Sequence, residues 1–460
     1  MLPVVALIGR PNVGKSTLFN AMTGTRDALV ADLPGLTRDR QYGFARRTDV
    51  PCIVVDTGGL VENADAIESL MIAQTDRAIS EADRLIVIVD GRAGVTPQDQ
   101  FVARLAHRSG KPVFLAVNKT EGFDADIAVA DFHGLGLGEP LPIAAEHNQG
   151  VISLLETVLA GLLPDPQDGP EMTGIKVAVI GRPNVGKSTL INRILGENRM
   201  VAFDQPGTTR DAVLVPFERD GEHYTLIDTA GVRRRAKVED AVEKFSVIKT
   251  LQAIESAHVV VAVMDAQDNV AEQDASLLGT VIEQGRALVV AINKWDNIPS
   301  EQRDLIRQQI EQRISFADFA PLHFISARHG SGVGELFASI KSAFAAAMRD
   351  MTTPHLTRVL EGAMESHPPP VVRGRRIKLR YAHQGGRNPP VIVIHGNQTE
   401  HIPEAYRRYL VNVYRKAFDL MGTPVRVIFR GEENPFAGKK NPLTPRQVRK
   451  RKRLVQRNKR

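Results

Sequence analysis

Gly9–Leu18 reads GRPNVGKSTL, and Gly181–Leu190 reads the same ten letters. Each copy follows a short apolar run, VVALI in the first case and VAVI in the second. The pattern G-x-x-x-x-G-K-[ST] after a strand is a phosphate-binding loop. Its glycines let successive backbone N–H groups turn inward around phosphates, and the helix that follows adds its positive N-terminal end. The first loop offers Gly9, Arg10, Pro11, Asn12, Val13, Gly14, Lys15 and Ser16 as nucleotide contacts. The second offers Gly181, Arg182, Pro183, Asn184, Val185, Gly186, Lys187 and Ser188. Lys15 and Lys187 are expected to reach the β- and γ-phosphates, and the hydroxyls of Ser16 and Ser188 to ligate Mg2+.

The repetition runs well past the loop. Lys15 and Lys187 lie 172 positions apart, as do Thr37 and Thr209 (PGLTRD, PGTTRD) and Asp56 and Asp228 (DTGG, DTAG). Asp90 and Asp265 lie 175 apart, as do Asn118 and Asn293. Five matched segments in one order mark a duplicated domain of about 165 residues. Within the first copy the apolar runs VVALI, CIVVD, LIVIVD and VFLAVN alternate with longer amphipathic stretches. That alternation predicts an α/β fold, a mostly parallel sheet with helices on both faces. LPDPQDGPEMTG (Leu163–Gly174) reads as a linker, and DMTTP (Asp350–Pro354) as a second boundary. The expected domains are 1–164, a linker at 165–174, 175–350, a third domain at 351–438, and a tail at 439–460 expected to be disordered. The third domain predicts an αββαβ order, with helices at His355–Ser366 and Pro403–Leu420 and strands at Ile377–Tyr381, Val391–His395 and Val425–Arg430.

The segments after each loop complete a site. Asp56 and Asp228 end apolar strands and are expected to hold the Mg2+ hydration shell. Thr57, Gly58, Gly59 and Leu60 follow the first, and Thr229, Ala230, Gly231 and Val232 the second. Gly59 and Gly231 would each offer a backbone N–H to the γ-phosphate. Thr37 and Thr209 can complete the Mg2+ shell only while that phosphate is present, so their loops would order with triphosphate and release on hydrolysis. The alignment with PGLTRD favours Thr209 over Thr208.

Base identity comes from Asn-Lys-x-Asp after an apolar strand. Asn293, Lys294, Trp295 and Asp296 fit it fully. A carboxylate accepts from both N1–H and the 2-amino group of guanine, whereas adenine lacks that amino group and presents an acceptor at N1. Charge-assisted bonds of this kind contribute roughly 1.5–3 kcal/mol each, so losing two discriminates strongly against ATP. Ser326–Arg328 (SAR) would bring the Ala327 N–H to the guanine O6. The first copy reads Asn118, Lys119, Thr120 and Glu121, and its later loop, Ala144–Glu146 (AAE), lacks the serine. Glu makes the same fork one methylene longer, so guanine specificity is expected to persist there in looser form.

Composition sets outer bounds. The net charge of +6 hides an asymmetry: residues 351–460 carry +17, the remainder −11, and Lys439–Arg460 hold 11 basic residues and no acid. A basic C-terminal third suggests a polyanion partner. The single cysteine, Cys52, excludes an intramolecular disulfide and a cysteine zinc cluster, and the 12 histidines show no metal-ligand spacing. No apolar stretch approaches the ~20 residues that span a bilayer, and the N-terminus shows no signal peptide, so the expected location is cytoplasmic, with no membrane partner.

Both GRPNVGKSTL copies, both PG-x-T-R-D loops and RRRAKVEDAVEKFSVIKTLQAIESA (Arg233–Ala257) resemble the Der (EngA) family of bacterial GTPases over nearly the whole chain. The resemblance implies two tandem Ras-like P-loop GTPase domains followed by a KH-like domain. It also implies action with rRNA in assembly of the large ribosomal subunit; GTP/GDP is the expected ligand from the base-reading residues, and a monomer is expected. No GXXG loop, the phosphate clamp of RNA-binding KH domains, occurs in 355–430. Leu60 and Val232 stand where Ras-type enzymes place a water-orienting Gln, which implies slow hydrolysis. Asn12 and Asn184 match an Asn of potassium-stimulated members of this class, which implies K+ near the phosphates. Arg233–Arg235 is read as a phosphate or RNA contact or a solvated face, and Val242, Phe245, Ile248 and Leu251 as packing. The rival reading, from a different class, is an RNA-binding scaffold whose nucleotides are structural.

Overall fold

The computed structural model describes residues 2–24, 41–57, 78–122, 124–162, 174–197, 213–228, 247–268, 271–372 and 375–431. These form two compact units. One comprises Met1–Arg349 with Arg387–Pro390 and Asp419–Pro424; the other comprises Asp350–Gly386, Val391–Phe418 and Val425–Arg460. No described helix is long and apolar enough to cross a membrane.

The duplication read from the sequence is a duplication of topology. The first sheet contains β1 (Val4–Ile8), β2 (Gln41–Ala45), β3 (Cys52–Asp56), β4 (Arg84–Asp90), β5 (Val113–Asn118) and β6 (Pro140–Pro142) in the order β2-β3-β1-β4-β5-β6. The second contains β7 (Ile175–Ile180), β8 (Val213–Arg219), β9 (Glu222–Asp228), β10 (Val259–Asp265), β11 (Ala287–Asn293) and β12 (Leu322–Phe324) in the order β12-β11-β10-β7-β9-β8. Listed from the other edge, the second order matches the first strand for strand. All pairs are parallel except β2 with β3 and β8 with β9. Helices cover the parallel strands, so both faces are buried: every residue of β1, β10 and β11 is buried. That explains why these strands read as unbroken apolar runs instead of alternating. Each fully buried Val, Leu or Ile there contributes about 1.5–3 kcal/mol.

In the first copy the helices are α1 (Lys15–Thr23), α2 (Pro97–Arg108), α3 (Ala125–Val129) and α4 (Val151–Leu159). In the second they are α5 (Lys187–Glu197), α6 (Val247–Ser256), α7 (Glu272–Gln284), α8 (Arg303–Arg313) and α9 (Val333–Ala347). The two copies share apolar surface: Val247, Ile248 and Leu251 of α6 belong to the same buried cluster as Val4, Ala6 and Val55 of the first sheet. At its edge Arg46 pairs with Glu255 at 2.6 Å and also bonds Gln284, while Gln252 donates to the Leu2 carbonyl at 3.2 Å. Cys52 is fully buried in β3, and burial pushes its thiol up to about 12.

The second unit has the expected αββαβ order. α10 (Thr353–Ser366) and α11 (Glu404–Ala417) accompany β15 (Lys378–Gly386), β16 (Val391–Asn397) and β17 (Arg426–Gly431), after a two-residue pair of β13 (Val371–Val372) and β14 (Arg375–Arg376). β15 and β16 run antiparallel, and β16 and β17 parallel. Leu356, Leu360, Leu410 and Tyr414 bury the helices against this small sheet, and the Tyr414 hydroxyl donates to the Leu356 carbonyl at 3.2 Å.

Candidate nucleotide sites

In each sheet the first strand lies between neighbours whose connections leave in opposite directions, and the loop after it opens at that switch point. Ligands of open α/β sheets bind there, outside the carboxyl ends of the strands. The loop's backbone explains its spelling. Gly14 has φ +97° and Gly186 φ +99°. A Cβ at Gly14 would stand 2.3 Å from Asn118 Nδ2, and one at Gly186 2.2 Å from Asn293 Nδ2. Asn12 and Asn184 both take φ +64°, a left-handed conformation that Asn accepts more readily than most residues.

At the phosphate end, Lys15 is nearly buried and its ammonium donates to the carbonyls of Gly9 at 2.9 Å and Arg10 at 2.8 Å. Burial lowers its pKa below the ordinary lysine value, against the opposing pull of Asp56. Lys187 is likewise buried and donates to the Arg182 carbonyl at 2.8 Å. The Ser16 hydroxyl donates to Asp56 at 2.7 Å. A hydroxyl and a carboxylate held that close are hard oxygen ligands of the type Mg2+ selects. Ser188 occupies the same turn of α5, and Asp228 ends β9.

Buried carboxylates brace each loop from behind. Arg10 pairs with Asp99 at 3.3 Å, and Arg182 with Asp274 at 2.9 Å. Burial pushes the Asp274 carboxyl up despite Arg182. Neither carboxylate was singled out from the sequence. The available signal was local: Thr96 and Asp99 form a reciprocal capping box at the start of α2, with Thr96 N–H donating to Asp99 at 3.0 Å.

The base end begins with a strap to the phosphate loop. Asn118 donates to the Val13 carbonyl at 2.9 Å and accepts from the Ala145 N–H at 3.0 Å. Asn293 donates to Val185 at 2.8 Å and accepts from Ala327 at 2.9 Å. Lys119 (φ +66°) and Lys294 (φ +62°) carry left-handed backbone, which costs roughly 1–2 kcal/mol each for a residue with a Cβ. Ion pairs hold both: Lys119 meets Asp90 at 2.6 Å, and Lys294 meets Asp265 at 2.5 Å. Lys119 also donates to the Asn12 carbonyl at 2.9 Å. Opposing burial, Lys119 and the Arg92 N–H bring the Asp90 carboxyl below its usual range. Thr120 and Trp295 then tie back to the next strand's end, donating from N–H to Ile143 at 3.3 Å and Ile325 at 3.1 Å.

At the fourth position the copies part. The neighbouring Ser326 hydroxyl holds the Asp296 carboxyl below the usual range, with His329 3.5 Å away. In the first copy Ala144 replaces that serine, and Glu121 is paired with Arg92. Thr37, Gly58, Gly59, Leu60, Thr209, Thr229, Ala230, Gly231, Val232, Arg233–Arg235 and 439–460 lie outside the described residues.

Residues 4–119 and 176–294 match the family described as 50S ribosome-binding GTPase. Residues 351–430 match the KH-domain-like C-terminal family of EngA bacterial GTPase enzymes. The GTPase Der of Thioalkalivibrio sulfidiphilus is 59% identical over 459 residues, covering 99% of each chain. The chain belongs to the Der family of GTPases. Other Der proteins are similar over the same length: that of Methylococcus capsulatus is 57% identical, covering 99% of each chain, and that of Hahella chejuensis 56%, covering 99% of this chain and 97% of its own. Membership makes the chain a GTP-binding GTPase with two G domains and a KH-like domain, as the resemblance implied.

Proposed function

We propose that this Der GTPase is a switch acting in assembly of the large ribosomal subunit, binding rRNA or the pre-ribosome in one nucleotide state and leaving in the other. The observation that carries this reading is the duplicated cradle, each copy strapped by its own Asn to the base-reading turn. A scaffold with structural nucleotides needs no second set of γ-phosphate and Mg2+ ligands. The family description as 50S ribosome-binding and the +17 charge of residues 351–460 supply the partner's chemistry. We place the domain limits at 1–164, 175–350 and 351–438, and take the protein as a cytoplasmic monomer.

In this reading Ser16, Thr37 and Asp56, and Ser188, Thr209 and Asp228, hold Mg2+, which when bound neutralises charge on the β- and γ-phosphates. Lys15 and Lys187 leave the carbonyls they now contact and turn to those phosphates. Asn118 and Asn293 fix the base, and Glu121 and Asp296 read guanine. Water attacks the γ-phosphorus, the bond to the β-bridging oxygen breaks, and GDP and phosphate leave. With Leu60 and Val232 unable to orient water, turnover is slow; Asn12 and Asn184 are the residues that would hold K+, which would supply positive charge near the phosphates.

Sedimentation with ribosomal subunits tests the reading, using the parent, Lys15→Ala and Lys187→Ala, each with GDP or a non-hydrolysable GTP analogue. Large-subunit binding only with the analogue, lost in one or both variants, is expected. Binding indifferent to nucleotide overturns the switch.

A further inference from the structure

The two base ends hold their carboxylates from opposite sides. In the second domain the group that favours the carboxylate is the Ser326 hydroxyl, on the loop after β12, which also accepts the His329 N–H at 3.3 Å. The residue matching Ser326 in the first domain is Ala144, identified by its neighbour: Ala145 N–H caps Asn118 as Ala327 N–H caps Asn293. A methyl group holds no carboxylate. In the first domain Glu121 is instead gripped by Arg92, from the turn after β4. The same turn carries Asp90, whose two oxygens accept the Arg92 N–H at 3.0 Å and the Lys119 ammonium at 2.6 Å. Three residues, Asp90–Arg92, therefore position both Lys119 and Glu121. The matching turn, Asp265–Gln267, keeps the first contact, with Gln267 N–H on Asp265 at 3.0 Å, but offers a neutral side chain where Arg92 stands.

We propose that Arg92, through its ion pair with Glu121, is a positioning residue for guanine recognition at the first nucleotide site, where the second site has a serine and the first has Ala144. The arginine suits the residue it serves. Glu121 has one more rotatable bond than Asp296, so an unheld carboxylate would leave the base plane more easily. A guanidinium fixes direction through its planar fork and engages one oxygen here, Oε1. A carboxylate has about four lone-pair sites, enough to hold Arg92 and still accept the N1–H and 2-amino group of guanine. The pair is partly exposed, with 54% of the Arg92 side chain and 23% of Glu121 accessible, so its effect belongs to binding more than to folding.

This inference rests on the nucleotide reading above, and the experiment separates the two. Equilibrium binding of GDP and inosine diphosphate would be measured on the full chain carrying Asp296→Asn, so that remaining guanine binding reports the first site. Inosine lacks the 2-amino group, so the affinity ratio reads how well the carboxylate forks. Arg92→Ala is expected to weaken GDP about three- to tenfold and to narrow the GDP-to-inosine ratio, since a charge-assisted bond is misaligned and not removed. Arg92→Lys should recover part of the ratio, and Ala144→Ser added to Arg92→Ala should recover more, by rebuilding the second domain's solution in the first. Gln267→Ala in the otherwise native chain should leave both affinities unchanged. GDP affinity within twofold of the parent, or equal losses for both nucleotides at constant ratio, overturns the positioning role. No GDP binding in the Asp296→Asn parent would instead overturn the first domain as a guanine site.

Discussion

The two G domains agree at the phosphate end and differ at the base end. The phosphate loops are identical in letters, in the left-handed Asn and Gly positions, and in the Asn strap that crosses them. The base turns share Asn and Lys but part at the reading carboxylate and its holder. The difference follows from what does the work. Phosphates are gripped by backbone N–H groups, whose placement only a few residue types allow, so the sequence there is nearly forced. The base is read by side chains, and a carboxylate can be held in place by several kinds of donor.

The largest test of that contrast removes the readers. Asp296→Asn should weaken GDP at the second site by about a hundredfold or more, because two charge-assisted bonds fail together; Glu121→Gln should cost the first site less if its fork is looser. Calorimetric titration of each variant would show it, and equal losses would erase the distinction at the base end. Next come the glycines. Gly14→Ala and Gly186→Ala each meet an Asn amide at 2.3 Å and 2.2 Å, and should destabilise their own domains by about 2 kcal/mol or more while abolishing nucleotide binding there. The two effects should match, and a tolerated alanine in either copy would break the equivalence of the cradles.

A smaller effect concerns acid. The neighbouring Ser326 hydroxyl favours the ionised form of Asp296, so its pKa lies below the usual aspartate value. If it reads guanine as proposed, its grip should be full above the usual carboxylate range and fade as pH falls through that lowered value. Ser326→Ala should move the fading to higher pH, visible in GDP affinity measured between pH 4 and 7; an unmoved profile would show that the serine does not tune the carboxylate. Smallest is Arg46→Ala. Its ion pair with Glu255 is partly exposed, so unfolding should shift by less than about 1 kcal/mol.

The legible part of this protein was the part written locally. The phosphate loops, the apolar strands and the αββαβ order all appear in runs of a few adjacent residues. β2 and β6 escaped notice for physical reasons. QYGFA has a glycine at its centre, and PLP is three residues with two prolines; each is an edge strand paired on one side only. The braces escaped because they are long-range. Arg10 and Asp99 are 89 positions apart, and Arg92 reaches Glu121 across 29, spacings that no periodicity announces. Thr37, Thr209, Gly59 and Gly231 are legible from their motifs alone.

Cys52 gives the molecule a practical property. Its thiol is sealed inside β3 and pushed up to about 12, so at neutral pH it presents almost no thiolate to a maleimide or an iodoacetamide. A fluorophore or spin label can therefore be attached at a cysteine introduced on the surface without first deleting the native one. One label on each G domain would then report whether the distance between them depends on the nucleotide bound.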